Sequence, residues 1–485
     1  MFLGDYIKRG IHTIQNASVQ VKASMAFMAV NFMQKGISFL TAPIFTRLLT
    51  TNEYGVITIY SSWLDVIGIF AMFGLYNNVY CRGILEFKED QKNFTFSLLS
   101  LSNIITLLTF AVVWMVNKYL FTFLEVPDTL IFFMFFSFLL EPAFEFWKTD
   151  QRFDYKYKLL CVFMLLVMFF SPLLSIAGIF LFPGHKVEAR IIGAQVVTLL
   201  ISLGCYFYET TAARGLPKIK YWKYALSYNI PLIPYFLSSY VLSSSDRLMI
   251  GYFWGEDKAG IYGIAYTMSA VANIVWTSIN ATLVPTIYKR CDDGRRGTLS
   301  NLIIPIIAGY GAVCVLIMLL SPEIIRFLAP SSYGEGMYII PVIVGGVFYM
   351  SIFSIFSNLI YYEKKPKYVM GAGVAAAVVN IILNFIFIPL CGYFAAGYTT
   401  LAAYLLQVAW SYIAVRKVTG ESVYDMKKMS LIGGIVLFMS VFSQFLYPYT
   451  WIRWGLLLVI GCLVWKNSKI LLEGVFGAKV QVDKE

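Results

Sequence analysis

The chain alternates between long apolar runs and short polar segments. An apolar run of about 20 residues is long enough to cross the hydrocarbon core of a bilayer as a helix. Fourteen such runs are predicted, at 24–46, 54–76, 94–117, 129–147, 159–180, 191–208, 225–253, 260–285, 298–320, 336–360, 368–390, 394–415, 429–446 and 450–465. The pattern therefore predicts an all-α polytopic membrane protein. The longest connection, 77–93, leaves no room for a soluble catalytic domain.

Composition supports the same class of protein. Of 485 residues, 59% are hydrophobic and 13% are charged, whereas soluble domains are about a quarter charged. A soluble chain with this composition would expose more apolar surface than folding can remove from water. The net charge of +11 would suggest nucleic acid as a partner in a soluble protein, but here the basic residues lie between the apolar runs, so nucleic acid is not expected.

The basic residues also predict the orientation of the chain. Of the 38 Lys and Arg, 29 fall on one alternating set of connecting segments, and only 7 fall on the other. Cytoplasmic segments carry this excess. Both termini, residues 1–23 and 466–485, are therefore predicted to be cytoplasmic. Arg453 is counted among the external residues because we expect it to reach outward from the last span.

A short internal repeat indicates two halves. Arg47-Leu is followed by a polar turn and Gly55, and Arg247-Leu is followed by a polar turn and Gly260. The two motifs are six spans apart, so they enter the membrane with the same orientation, as two parallel six-helix halves would. The predicted organisation is an N-terminal lobe at 24–208, a linker at 209–224, a C-terminal lobe at 225–415 and two additional helices within 416–465.

The sequence offers little for catalysis or metal binding. The seven cysteines are odd in number and mostly lie inside apolar runs, so no disulfide framework is expected. The only histidines are His12 and His185, which makes a histidine-based metal site improbable. No phosphate-binding loop and no Ser-His-Asp set occurs. We expect a protein that is not an enzyme, has no cofactor and uses an ion gradient or the gradient of its own substrate.

Polar residues inside the spans are the candidates for function, because a charge at the centre of a membrane helix costs about 2.5–3.5 kcal/mol on insertion scales. Asn31, Gln34 and Lys35 share one face of the first span. Asp65 is at a similar depth in the antiparallel second span, so a Lys35–Asp65 pair is predicted. The pair has either a transport role or a purely structural one.

Two further spans carry charges. Glu141 and Glu145 are one turn apart, and they repel each other if both are ionised, which suggests a proton or a bound cation on one of them. Alternatively, Lys148 neutralises Glu145 and leaves Glu141 as the sharper candidate. Asp246 lies on a polar face of the seventh span, with Arg247 beside it.

The second half carries uncharged polar stripes. They comprise Tyr266, Ser269, Asn273, Thr277 and Asn280; Ser351, Ser354, Asn358 and Tyr361; and Asn380 with Asn384. Such stripes are either the lining of a wet cavity between two helix bundles or hydrogen-bonding contacts between membrane helices.

Taken together, these residues resemble a known family. The motif Pro43-x-x-x-Arg47-Leu-x-Thr-x-x-Glu53-Tyr54-Gly55, the second-half Asp246-Arg247-Leu-Met-Ile-Gly251 and the 6+6+2 division are similar to those of the polysaccharide and oligosaccharide flippases. These flippases belong to the multidrug, oligosaccharidyl-lipid and polysaccharide export superfamily. The resemblance implies two six-helix lobes around a central cavity in the bacterial cytoplasmic membrane.

The resemblance also implies a substrate and a mechanism. An undecaprenyl-diphosphate-linked oligosaccharide would move from the inner to the outer leaflet by alternating access, for O-antigen, capsule or exopolysaccharide assembly. Possible partners are the polysaccharide polymerase and the chain-length machinery. The expected coupling ion, if there is one, is H⁺ or Na⁺.

Site residues follow from the polar pattern and the resemblance together. The expected substrate contacts are Lys35, Arg247, Arg47, Asn31, Asn273 and Asn280. The expected gate or coupling-ion residues are Asp65, Glu141, Glu145 and Asp246.

Three rival readings remain. A cation-coupled multidrug exporter of the same superfamily would use the carboxylates, and a peptidoglycan-precursor flippase would differ only in the sugar. A polytopic polysaccharide polymerase is disfavoured, because the longest external connection, 321–335, is short.

Overall fold

The computed structural model describes residues 19–120, 124, 126–213 and 215–466. Within these ranges the regular structure is entirely helical. The predicted cytoplasmic segment up to residue 18 and the predicted tail from residue 467 lie outside the described residues. The all-α prediction is confirmed.

Seventeen α-helices account for most of the described chain. They are α1 Val19–Leu48, α2 Thr51–Ala71, α3 Asn78–Glu86, α4 Gln91–Met115, α5 Asp128–Phe153, α6 Tyr157–Leu181, α7 Lys186–Ala212, α8 Ile219–Asn229, α9 Ile233–Trp254, α10 Glu256–Asp292, α11 Leu299–Leu319, α12 Ser321–Leu328, α13 Ile340–Tyr362, α14 Lys367–Cys391, α15 Ala395–Thr419, α16 Met426–Phe442 and α17 Thr450–Lys466.

The long helices match the predicted spans. Among the described residues, ten helical segments, built on α2, α4, α5, α6, α7, α10, α11, α13, α14 and α16, are long and apolar enough to cross a membrane. Helices α1, α9 and α15 are also long, with 30, 22 and 25 residues, but more polar. With the 17-residue α17, these are consistent with the predicted fourteen. Large apolar side chains face outward, as in Leu390 at 77% exposed and Trp451 at 91%, which suits a lipid environment.

Several predicted boundaries are wrong in an informative way. The fourth span was expected to end at 147 and the sixth at 208, but α5 continues to Phe153 and α7 to Ala212. Asp150 and Glu209 are therefore inside helices rather than in connecting segments. A helix can continue past the hydrocarbon core because its backbone groups remain paired while its charged side chains reach the interface.

The predicted seventh span, 225–253, is two helices. A separate helix, α8, ends at Asn229, and α9 begins at Ile233. Pro231 lies between them, and Pro234 is the second residue of α9. Proline cannot donate a backbone hydrogen bond and restricts the backbone conformation of the residue before it. The helix therefore breaks at this point although the sequence remains apolar.

Contacts divide the chain into two compact units. Among the described residues, unit 1 comprises 19–41 and 63–233, and unit 2 comprises 42–62 and 234–466. Residues 42–62, which include the turn of the first helical hairpin, thus pack with the second half of the chain. The predicted lobe limits, 24–208 and 225–415, stay a prediction.

Unit 1 includes a small helical layer that the sequence did not predict. Helices α3 and α8 pack against α4 through aromatic rings, with Phe94 against Tyr80 at 5.9 Å and against Tyr221 at 5.2 Å between ring centroids. Asp90 Oδ2 accepts hydrogen bonds of 2.5 Å from Lys218 Nζ and from Tyr221 Oη. The second part of the predicted linker, 209–224, is therefore helical and docked on unit 1.

Unit 2 is centred on α13, which is buried along most of its length. The last helix, α17, is held to this unit by Arg453, whose guanidinium forks around the carboxylate of Glu323 in α12; the contact from Nη2 is 2.5 Å. Arg453 also donates to the carbonyl oxygen of Leu319 at 2.9 Å. The Arg453 side chain is buried, and its partner Glu323 lies in the connection 321–335 that is predicted to be external.

The two glycines of the internal repeat meet in unit 2. Gly55 is the fifth residue of α2 and Gly260 is the fifth residue of α10. A Cβ atom on Gly260 would lie 2.9 Å from the backbone nitrogen of Gly55, and one on Gly55 would overlap the backbone carbonyl of Glu256. The helices approach so closely that only glycine fits at either position.

Candidate transport site

Unit 1 contains a polar cavity of about 230 Å³. Four helices, α1, α5, α6 and α7, supply its walls. The lining residues are Asn31, Gln34, Glu141, Phe144, Glu145, Lys148, Arg152, Met164, Val167 and Thr198. Two carboxylates and two cations thus share one cavity within membrane-spanning helices.

The two carboxylates of this cavity differ in their partners: Glu145 is paired with a lysine, whereas Glu141 is not. Lys148 Nζ lies 2.5 Å from Glu145 Oε1 and 4.8 Å from the centroid of the Phe144 ring. The alternative in which Lys148 neutralises Glu145 is therefore the one observed. Glu141, one turn earlier on α5, has no hydrogen-bond partner among the described residues, so its carboxylate faces the cavity as a free acceptor.

The face predicted for the first span is only partly in this cavity. Asn31 and Gln34 line it, and Gln34 Nε2 donates to the carbonyl oxygen of Met164 at 3.3 Å. Lys35 is exposed and is not one of the lining residues. Asp65 is half-buried on α2, and the Lys35–Asp65 pair stays a prediction.

Asp246 is the centre of a buried polar network in unit 2. Its side chain is 1% exposed. The carboxylate accepts hydrogen bonds from Tyr262 Oη at 2.8 Å, Thr400 Oγ1 at 2.7 Å and Asn384 Nδ2 at 2.8 Å. Helices α9, α10, α14 and α15 each contribute one member, so a single carboxylate joins four helices.

Further hydrogen bonds connect Asn380 and Thr399 to this network. Asn380 Nδ2 donates to Thr400 Oγ1 at 2.9 Å, and Asn384 Nδ2 also reaches Asn380 Oδ1 at 3.2 Å. Thr399 donates its hydroxyl to the Asn384 side-chain oxygen. The set is rich in oxygen atoms, which are the ligands that hard cations such as Na⁺ prefer, by analogy with Ca²⁺ and Mg²⁺.

A small cavity of about 40 Å³ in unit 2 adjoins the network, because Tyr262 and Thr400 line it. Tyr266 and Asn273 also line this cavity. The Arg247 guanidinium lies 4.4 Å from the centroid of the Tyr266 ring, and its Nη2 donates to the Ser243 carbonyl at 2.5 Å. Tyr266 thus contacts Arg247 and also lines this cavity with Asn273. The roles predicted for Arg247 and Asn273 stay predictions.

The remaining candidates have structural contacts. Arg47 donates to the carbonyl oxygens of Pro43 at 2.8 Å and Phe327 at 3.0 Å. Asn280 accepts a hydrogen bond of 2.9 Å from Asn358. Both sets of contacts lie within unit 2, and neither residue lines the two cavities described.

Sequence reasoning missed Tyr262, Thr400, Arg152 and Thr198. Thr399 and Thr400 are adjacent polar residues within an apolar run, and this was an available signal for α15. Arg152 had been placed in a connecting segment because the predicted span ended too early. Tyr262 belongs to the repeated motif Gly260-Ile-Tyr262 but was not among the predicted site residues, because tyrosine is frequent throughout the chain, with 33 copies.

Comparison with known proteins then defines the class. The fold is that of a multi-pass helical membrane transporter, and residues 44–308 match the model of a family described as polysaccharide biosynthesis protein. The match covers more than half of the chain. This chain belongs to the polysaccharide biosynthesis protein family.

Individual relatives are distant. The chain is 20% identical to a protein of Haloferax volcanii named as a low-salt glycan biosynthesis flippase, Agl15, over 78% of this chain and 80% of the relative. It is 24% identical to AglR of the same organism, named as a flippase, over 52% of each chain. A protein of the Lsg locus of Haemophilus influenzae is 23% identical over 40% of this chain and 50% of its own. The chain thus spans about half the length of two of these three relatives.

Solved structures share the fold. The lipid II flippase MurJ in an inward closed conformation superposes with a TM-score of 0.67 at 16% identity, covering 93% of this chain and 99% of MurJ. An inward-facing multidrug resistance MATE family transporter gives 0.55 at 14% identity, covering 83% and 99%. The sequence-based resemblance to the polysaccharide flippases is confirmed.

Proposed function

We propose that this protein is a flippase that moves undecaprenyl-diphosphate-linked oligosaccharide repeat units from the inner to the outer leaflet of the bacterial cytoplasmic membrane. Its product would enter O-antigen, capsule or exopolysaccharide assembly. The observation that carries the proposal is the unit 1 cavity, in which hydrogen-bonding and charged side chains of both signs lie within membrane-spanning helices. A sugar headgroup needs such a wet path, while its lipid tail can remain in the bilayer.

Cationic and amide side chains would contact the headgroup. In the proposal, Lys35 and Arg247 attract the diphosphate, while Asn31 and Asn273 bind sugar hydroxyls. Arg247 supports this role because its Nε is buried without a hydrogen-bond partner among the described residues. A guanidinium with an unused donor is suited to a phosphate oxygen.

Coupling to an ion would use the carboxylates. Asp246 with the oxygens of Thr400 and Asn380 offers a site for Na⁺ or H⁺, and Glu141 offers a second acceptor in unit 1. Binding at these sites would bias an alternating-access cycle. If collapsing the membrane potential and the ion gradients leaves flipping unchanged, the coupling proposal is wrong.

The proposal also covers the membrane, the orientation of the chain and the partner proteins. The protein would lie in the cytoplasmic membrane with both termini in the cytoplasm, because the predicted cytoplasmic segments carry most of the basic residues. A polysaccharide polymerase and chain-length machinery would take over the flipped repeat units.

Reconstitution tests the proposal. Liposomes containing the purified protein should move a fluorescent undecaprenyl-diphosphate oligosaccharide between leaflets, and Lys35→Ala should reduce the rate at least about tenfold if it removes one diphosphate contact worth about 1.5–3 kcal/mol. Lys156→Ala is the matched control, since Lys156 lies between α5 and α6 and is 67% exposed.

A lipophilic cationic dye in the same liposomes tests the rival function. Movement of the glycolipid without the dye supports the flippase. Movement of the dye without the glycolipid would contradict it and favour a multidrug exporter that binds its substrate through the carboxylates.

A further inference from the structure

A buried charged cluster in unit 1 lies apart from the residues of the unit 1 cavity. Glu209, in the last turn of α7, has a side chain that is 0% exposed. Neither of its carboxylate oxygens has a hydrogen-bond partner among the described residues. Lys92, at the start of α4, is the nearest cation, with its Nζ 3.5 Å from Glu209 Oε2.

A second carboxylate shares the same lysine. Asp150, near the end of α5, lies 3.9 Å from Lys92 Nζ. Unlike Glu209, Asp150 is satisfied: its Oδ1 accepts hydrogen bonds from Tyr80 Oη at 2.8 Å and Gln91 Nε2 at 3.0 Å. The polar donors of the cluster therefore serve Asp150 and leave Glu209 with the long contact to Lys92 alone.

The charges of the cluster do not balance. Lys92 of α4 and Asp150 of α5 are the charged groups that act on Glu209. The other titratable neighbours are neutral hydroxyl and thiol groups, Tyr80 of α3 and Cys205 one turn earlier on α7. Two carboxylates and one ammonium leave one net negative charge in a place where an uncompensated charge is costly.

We propose that Glu209 is a proton-binding site, and that Glu209 carries this proton as a neutral carboxylic acid while Lys92 pairs with the ionised Asp150. The bound proton makes the net charge of the cluster zero and, unlike a larger cation, needs no space of its own. Lys92 connects the site to water, because its side chain is 38% exposed and rests on the Tyr208 ring at 4.6 Å.

This site is independent of the proposed transport function. None of Lys92, Asp150 and Glu209 lines the unit 1 cavity, and the proposal concerns the protonation of the purified protein in any state of transport. It joins the ends of three membrane helices, α4, α5 and α7, on the side of the chain that is predicted to be cytoplasmic.

Thermal unfolding of the purified full chain in detergent tests the proposal through Glu209→Gln. Glutamine has the shape of the neutral acid and needs no proton. A proton bound in the folded state and released in the unfolded state makes the stability of the wild type fall as pH rises. We therefore expect Glu209→Gln to melt about 2 °C or more above the wild type at pH 7, and at the same temperature near pH 4.

The opposite sign would overturn the proposal. If Glu209 is ionised and paired with Lys92, Glu209→Gln will melt below the wild type at pH 7, because the variant removes that pair. Glu86→Gln is the matched control: Glu86 is exposed and accepts a hydrogen bond from Tyr224, so its melting should change by less than about 1 °C at either pH.

Infrared difference spectroscopy gives a second readout that does not depend on stability. Subtracting the spectrum of Glu209→Gln from that of the wild type at pH 7 should show the C=O stretch of one protonated carboxylic acid, and that band should shift in D₂O. A difference spectrum that shows a lost carboxylate band instead would overturn the proposal.

Discussion

At the scale of single residues, Asp246 shows how one carboxylate is kept inside a membrane protein. Three donors from three other helices satisfy it, and Arg247 beside it stacks on Tyr266. A buried carboxylate is tolerated when its oxygens are hydrogen-bonded. Because all three partners of Asp246 donate to it, replacing one of its acceptor oxygens with a donor group should destabilise the protein.

Asp246→Asn tests this expectation. The amide has the size of the carboxylate but turns an NH₂ group toward groups that donate to Asp246. We expect the free energy of unfolding in detergent to fall by about 1–3 kcal/mol, measured by denaturant titration. Asp293→Asn should change it by less than about 0.5 kcal/mol, because the ion pair of Asp293 with Arg295 is on the surface. Equal effects of the two substitutions would contradict the importance of the network.

How far these residues could be predicted depends on helix rotation. The charge of Asp246 within an apolar run is visible in the sequence, so the residue was predicted. Its partners Tyr262 and Thr400 were not, because a hydropathy pattern does not fix how four helices are rotated toward one another. Glu209 was missed for another reason: the predicted span ended one residue before it.

At the scale of helices, the crossing of α2 and α10 depends on Gly55 and Gly260. Hydrogen bonds at the ends of these helices strengthen the contact, including one from Asn52 Nδ2 to Glu256 Oε2 at 3.3 Å and one from Thr51 to Asp257. The repeat that the sequence showed as a weak match is therefore a physical contact between its two copies.

Gly55→Ala should disrupt this crossing. The new methyl group would overlap the backbone of Glu256, and backbone cannot move aside as a side chain can. We expect a loss of about 1–3 kcal/mol in stability, detected as a lower melting temperature in detergent. The control is Gly434→Ala on α16, where nothing lies within 4 Å of the added Cβ; it should melt no lower than the wild type.

Another contact between elements of unit 2 is made by a titratable side chain, the carboxylate of Glu335. Glu335 Oε2 accepts hydrogen bonds from Lys258 Nζ at 2.6 Å and from the Tyr393 hydroxyl. These two donors lower the pKa of Glu335. The contact joins the start of α10 to the segment before α13 and to the turn between α14 and α15.

The pH dependence follows from the sign of that shift. Since the folded pKa is lower than the unfolded value of about 4.3, the stabilisation is present above that pH and is lost as pH falls through the folded pKa. The melting difference between the wild type and Glu335→Gln should be constant from pH 6 to 8 and shrink below about pH 4. The corresponding difference in the free energy of unfolding should be less than about 1 kcal/mol, because Glu335 is half-exposed. A difference that grows on acidification would refute this interpretation.

The long helices were predictable, whereas the short ones were not. A run of 20 apolar residues has few alternatives in a bilayer, so each predicted span corresponds to a long helix. Helices α3, α8 and α12 have 9, 11 and 8 residues. Helices α3 and α12 lie in segments expected to be connections, whereas α8 begins in such a segment and ends inside the predicted seventh span. They form because aromatic residues such as Tyr80 and Tyr221 find buried partners, and this depends on tertiary packing.

At the scale of the whole molecule, the distribution of Lys and Arg predicts which side each connection faces. Cys391 is exposed at the end of α14, in a connection predicted to be external. With the other six cysteines replaced by alanine, a membrane-impermeant maleimide should label Cys391 in intact cells. Cys391→Ala with Glu421→Cys, in a segment predicted to be cytoplasmic, should be labelled only after the cells are permeabilised. The reverse pattern would show that the orientation is inverted.

The division into units could not be predicted from the same signals. Hydropathy and charge place both α1 and α2 in the first half of the chain. The contacts instead assign residues 42–62 to unit 2, through hydrogen bonds such as that from Thr46 to the Leu328 carbonyl at 2.8 Å. A contact over 282 residues of sequence leaves no periodic signal in either segment.

The placement of residues 42–62 limits how the coding sequence can be divided into two halves. A single cut after residue 233 would not give two self-contained proteins, because the first fragment would carry 21 residues whose packing partners are encoded by the second. The second fragment would in turn leave Gly260 and the carbonyl of Leu328 without their neighbours. Unit 2 is thus completed by 21 residues that the first half of the coding sequence encodes, so duplication or exchange of the second half during evolution would have to preserve this segment.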